Sequence, residues 1–278
     1  MSQINTSSLE KQQAVKLFYQ DYGEGQPVIL IHGWPLSHKM WEYQVETLVD
    51  EGFRVISYDR RGFGESTKPW SGYDYDTLAK DLKDLIEELK LDDVILVGFS
   101  MGGGEVARYV GKYGTSKLSK AVLVSAVTPF MLKTDENDAV DESVFEDMKK
   151  GISDDRANFF KDFGKNFVNF ENFKDTRISQ AMVDLNWNIA MQASRKATLD
   201  CVDSFGKTDF RTDCKKFDIP TLIVHGDNDQ IVPLEVSGEK AADIIPNSKL
   251  EIIQDAPHGL VFTHPEDFNY ILLGFIKN

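Results

Sequence analysis

What most constrains this chain is a set of short apolar runs without polar alternation. They lie at Val28 to Ile31, Phe53 to Tyr58, Val94 to Phe99, Ala121 to Val127, Thr221 to Val224 and Leu250 to Ile253. Strands read this way when both faces are covered, since neither face then has to meet water. Between two of the runs, Asp76 to Lys90 puts Leu78, Leu82, Leu85, Ile86 and Leu89 on one helical stripe with Asp and Lys opposite. Strands alternating with amphipathic helices predict an α/β protein whose mostly parallel central sheet is flanked by helices. From about 130 to 217 the strand signals stop and Phe, Asp, Lys and Asn dominate, which predicts a mainly helical insertion. A chain of 278 residues then fits a single domain, 1–278, carrying that insertion. The acidic run Asp135 to Asp147 reads as a solvated loop.

Charge narrows the partners. With 31 basic and 45 acidic residues the net charge is −14, a field that repels nucleic-acid backbones and anionic lipid headgroups. Neither nucleic acid nor a membrane surface is therefore expected as a partner. The first dozen residues lack the apolar stretch of a secretory signal, and no run approaches the ~18 apolar residues of a membrane span. Cys201 and Cys214 are too few for a disulfide framework and match no zinc spacing. These features predict a soluble, cytoplasmic protein with two buried or inert thiols.

Chemistry enters at Gly98-Phe99-Ser100-Met101-Gly102, which follows the Val94 to Val97 strand and precedes a helix expected through Val110. That is the setting of a nucleophile elbow, a turn so sharp that flanking glycines are needed where Cβ atoms would collide. Such a serine needs a base. Of the five histidines, His32 and His225 each end an apolar strand in a His-Gly pair and read as packed or loop-fixing, while His38 and His264 have no supporting context. His258, in Asp255-Ala256-Pro257-His258-Gly259, sits in the loop after the last strand, where catalytic groups of such sheets gather.

The orienting acid belongs on the preceding strand-end loop, where Gly226-Asp227-Asn228-Asp229 offers two carboxylates. Asp227 suits a turn-closing role directly after the glycine, whereas Asp229 lies further round the loop with the better reach to His258. Two backbone N–H groups should hold the oxyanion, one from Met101 after the nucleophile and one from Trp34 in His32-Gly33-Trp34-Pro35. Trp34 as a plain core aromatic is the alternative. Gly206-Lys207-Thr208 resembles the end of a phosphate-binding loop, but Cys201 stands where its first glycine should be. No dinucleotide or HExxH metal motif occurs, so no cofactor and no metal are implied.

The segments HGWPLS, MWEYQ, YDRRGFGES, VGFSMGGGEVARY, HGDNDQIVP and DAPHG resemble the α/β-hydrolase fold, and more narrowly the cofactor-free haloperoxidase or bacterial aryl esterase and perhydrolase family. The resemblance implies Ser100, Asp229 and His258 as the triad and Trp34 and Met101 as oxyanion donors. It implies hydrolysis of small acyl or aryl esters. It also implies acyl transfer to hydrogen peroxide in place of water, giving peracids that oxidise halide without the enzyme. Homo-oligomers and a helical cap are implied as well. Trp34, Phe99, Val127, Phe205, Ile231 and Leu234 are expected at the substrate pocket, as neighbours of the catalytic loops or by position in the family. Two rival readings remain. A lactamase or carbon–carbon bond hydrolase would use the same triad, and a ligand receptor could occupy a hydrolase scaffold.

Overall fold

The computed structural model describes residues 2–10 and 13–278. Among them eight strands form one sheet: β1 (Ser2–Glu10), β2 (Gln13–Tyr22), β3 (Pro27–Ile31), β4 (Arg54–Tyr58), β5 (Val94–Phe99), β6 (Leu118–Val124), β7 (Thr221–Gly226) and β8 (Ser248–Ile253). Their order is β1-β2-β4-β3-β5-β6-β7-β8, antiparallel across β1, β2 and β4 and parallel from β4 to β8. The helices are α1 (Glu42–Asp50), α2 (Tyr75–Glu88), α3 (Met101–Tyr113), α4 (Glu142–Phe167), α5 (Phe170–Phe173), α6 (Gln180–Met191), α7 (Arg195–Lys207), α8 (Arg211–Cys214), α9 (Gly238–Ile244), α10 (Leu260–Thr263) and α11 (Pro265–Ile276).

Five of the apolar runs become the inner strands β3 to β7 because helices cover both faces, and every residue of β5 and β7 is buried. The sixth run, Leu250 to Ile253, instead forms the edge strand β8, which is only partly buried and exposes Ile252. One apolar cluster lies under α2, α3 and the inner face of the insertion, the other under α1, α10 and α11. The α2 stripe is seated as its periodicity requires, with Leu78, Leu82, Leu85 and Ile86 buried and the Asp74 carboxylate accepting from Thr77 N–H at the helix start.

Two further departures from the sequence reading have physical causes. The hairpin of β1 and β2 has no counterpart among the apolar runs, since its partly solvated strands alternate, as at Val15, Lys16 and Leu17. The run Ala121 to Val127 stops being a strand at Val124 because Ser125 turns into positive φ (44°), which carries Val127 onto the carboxyl-end loop.

The insertion between β6 and β7 is helical, as expected, and folds over the carboxyl end of the sheet as α4 to α7, followed by the short α8. Its acidic start is only in part a loop. From Glu142 onward it is the first turn of α4, and Lys207 on α7 pairs with Glu142 and Glu146 there. Helix α4 breaks at Asp155, whose carboxylate accepts from Asn158 N–H and so starts its second half.

Candidate active site

Ser100 joins β5 to α3 with φ 54° and ψ −119°, a conformation that projects its side chain off the sheet edge. The flanking glycines are a steric requirement. A Cβ on Gly98 would meet the Gly102 carbonyl oxygen at 2.5 Å, and one on Gly102 would meet the Ile31 carbonyl oxygen at 2.4 Å. The turn is pinned by Ser100 N–H donating to Val124 (2.8 Å) and by the Ser100 carbonyl accepting from Gly103 (3.0 Å) and Val127 (3.3 Å).

Ser100 Oγ lies 2.9 Å from His258 Nε2, and His258 Nδ1 lies 2.7 Å from Asp229 Oδ2. All three residues are buried. The other carboxylate oxygen of Asp229 accepts from the backbone N–H groups of Ile231 (2.9 Å) and Val232 (2.8 Å), so the acid is held from behind by its own loop. Burial by itself would raise this carboxyl. The charges and hydrogen bonds of His258 and His225 outweigh it and hold Asp229 well below the usual carboxylate range. Asp227, by contrast, is exposed, and its N–H closes the turn onto Ile253.

The imidazole of His258 stands between two rings, Phe99 (centroids 5.0 Å) and Phe167 of α4 (4.8 Å, edge-on). Gly259 N–H donates to the Phe167 carbonyl at 2.7 Å, tying the histidine loop to the cap.

Trp34 lies on the loop after β3, and Met101 opens α3, where first-turn N–H groups have no partner within the helix. The Trp34 indole N–H donates to the Thr198 carbonyl of α7 (3.1 Å), and its ring meets Phe159, Phe160, Phe163 and Phe205 edge-on. Above Ser100 and His258 is a small apolar cavity of about 50 Å³. Of the residues expected at the pocket, Trp34, Val127, Phe205 and Ile231 line this cavity.

Phe99 and Leu234 do not. Side chains alternate along a strand, and Phe99 is directed to the opposite side from the cavity, against Trp41 and Phe167 and beneath Gly33. Leu234 lies in a turn packed toward Gly238.

The family model for the alpha/beta hydrolase fold matches residues 26–265. The chain is 50% identical over 273 residues, 98% of its length and 99% of the relative, to the putative non-heme chloroperoxidase of Synechocystis. It is 41% identical to the bifunctional esterase/perhydrolase of Acinetobacter calcoaceticus, over 95% of this chain and 97% of that one. The chain belongs to the non-heme haloperoxidase and esterase–perhydrolase family of α/β serine hydrolases. The crystal structure of a bromoperoxidase from Bacillus anthracis superimposes on this family member with a TM-score of 0.95, 49% identity and full coverage of both chains.

Two groups of residues at the site escape sequence reasoning. Met131, Val140, Val144, Phe145, Met148, Phe163 and Val232 complete the cavity wall. The signal for Phe163 is the run Phe159, Phe160, Phe163 and Phe167, spaced as one helical face, which only the folded cap aims at the sheet. His225, loop-fixing by its sequence context, does more than that. Its Nε2 lies 2.8 Å from the Val232 carbonyl and also 3.3 Å from Asp229 Oδ2, placing a second histidine on the acid.

Proposed function

We propose that this protein is a serine carboxylic-ester hydrolase for small acyl or aryl esters, with hydrogen peroxide able to replace water as acyl acceptor. The observation that carries the reading is the buried Ser100–His258–Asp229 hydrogen-bonded chain opening into a small apolar cavity. In this reading His258 Nε2 takes the Ser100 proton as Oγ attacks the ester carbonyl, and Asp229 holds Nδ1–H and stabilises the imidazolium. Trp34 and Met101 N–H groups receive the oxyanion. His258 returns the proton to the leaving alcohol or phenol, then takes one from water or peroxide as it attacks the acyl-enzyme. Water yields the carboxylic acid. Peroxide yields a peracid, which oxidises halide to hypohalous acid in solution and reverts to the carboxylic acid.

The names of the Acinetobacter and Synechocystis relatives support both acceptors. A reducing, cytoplasmic setting belongs to the same proposal, supported by two free, buried cysteines whose thiols burial pushes up to about 12. Homo-oligomeric assembly, implied by the family resemblance, is part of it too.

The test is Ser100→Ala. Turnover of a phenyl ester should fall by ~10⁴-fold or more, since triad members act as a unit, while the far-UV spectrum is retained. A fluorophosphonate should label wild type and leave the variant unlabelled. Ester turnover in the folded variant near the wild-type rate would overturn the reading.

A further inference from the structure

The two oxyanion donors assigned above lie on separate segments, Trp34 on the loop after β3 and Met101 on α3, so something must set the distance between them. One chain of hydrogen bonds runs from one segment to the other. Glu105, one turn beyond Met101 on α3, accepts through Oε2 from Arg60 Nε at 2.8 Å and through Oε1 from the Tyr58 hydroxyl. The other end of the Arg60 guanidinium donates to the His32 carbonyl at 2.8 Å. Arg60 also donates its backbone N–H to His32 Nε2 (3.0 Å), and His32 Nδ1–H donates to the Gly33 carbonyl (2.8 Å), one residue before Trp34. On the α3 side the Tyr75 hydroxyl donates to the Met101 carbonyl at 3.0 Å.

This pair is out of place as a stability device. Arg60 and Glu105 side chains are 1% and 0% exposed. Two charges so deeply buried lose their hydration, and apolar residues of like volume often serve stability as well or better. What a fixed ion pair adds is geometry, because the planar guanidinium donates in set directions. Here those directions join the α3 carboxylate to the carbonyl of the oxyanion loop.

We propose that Glu105, acting through Arg60, is a positioning residue that sets the spacing of the Trp34 and Met101 N–H groups. The proposal rests on the serine-hydrolase reading. It requires that loosening the pair weaken binding of the oxyanion and leave binding of the neutral substrate intact.

The experiment uses Glu105→Gln in the full chain, with kcat and KM on a phenyl ester and Kd for two probes, an arylboronic acid and the amide analogue of the ester. The boronate forms a tetrahedral anion on the serine, and the amide does not. A ~1 Å displacement of a positioned group costs up to ~10²-fold. The expected result is kcat down ~10- to 100-fold, boronate affinity down in step, and KM and amide affinity within about twofold. A merely structural role predicts a lowered Tm with kcat per folded molecule unchanged, and that result overturns the proposal.

Should Glu105→Gln fail to fold, the double variant R60M/E105L removes both charges together and decides the matter. Folded but slow, with weak boronate binding, it supports the proposal; folded with wild-type kcat, it overturns it. A failure of the underlying reading shows differently. Wild type would then not bind the boronate, or Ser100→Ala would still turn over ester, and the inference falls with it.

Discussion

Acid should destabilise this protein through His32, and the structure says by how much. The ring is fully buried at the end of β3, and its Nε2 accepts the Arg60 backbone N–H, so the nitrogen that would take a proton is already occupied. Burial first, then the Arg60 charge, push the imidazole from 6.5 down to about 3. Above pH 6.5 the ring is neutral in both folded and unfolded chains. Below 6.5 the unfolded chain takes up a proton that the folded one refuses until near pH 3, so stability present at neutral pH is lost progressively across that window. At ~1.36 kcal/mol per pH unit, the fall from pH 7 to 4.5 removes about 2.5 kcal/mol. His32→Gln keeps an acceptor for the Arg60 N–H and cannot titrate.

The assay is urea unfolding of wild type and His32→Gln at pH 7 and pH 4.5. Contributions from Asp229 and other acids are common to both chains and cancel in the difference. The gap in unfolding free energy between the two proteins should move by about 2.5 kcal/mol in favour of the variant as the pH falls. Parallel pH profiles would refute the argument and show that His32 is protonated in the folded state.

Further outcomes are expected at the elbow and in the overall reaction. Gly102→Ala puts a methyl 2.4 Å from the Ile31 carbonyl oxygen and 3.1 Å from that of His32, backbone atoms that cannot swing aside as a side chain can. Ester turnover should drop at least ~10²-fold from displacement of Ser100, and a variant of wild-type rate would contradict the steric need for glycine at this position. Since proton transfer in the proposed reaction runs through His258 alone, chelator treatment should leave ester hydrolysis and peroxide-dependent bromide oxidation unchanged. Bromide oxidation should require an added carboxylic acid. Bromination in carboxylate-free buffer would refute the peracid route.

What the sequence by itself determined is what local chemistry determines. Buried parallel strands announce themselves as unbroken apolar runs, the α2 stripe as a 3.6-residue period, and the elbow as glycines two residues either side of Ser100. The histidine and acid could be placed on strand-end loops because strand ends are legible one at a time. Tertiary structure decided everything that depends on which segments meet. The edge hairpin was hidden because its partly solvated strands alternate, and β6 ended early because Ser125 takes a left-handed turn. Asp229, not Asp227, is the carboxylate beside His258, since the loop buries one and exposes the other. Phe99 reads as a pocket residue from its place beside Ser100, yet strand alternation turns it under the histidine ring. The cavity wall from α4 and α7 comes from residues tens of positions away from the motif, and the Glu105–Arg60–His32 chain behind the oxyanion loop joins three segments that lie far apart in sequence. Neither has a local signature, because a helical Phe face or a lone Glu on a helix acquires its role only from what the folded sheet sets against it.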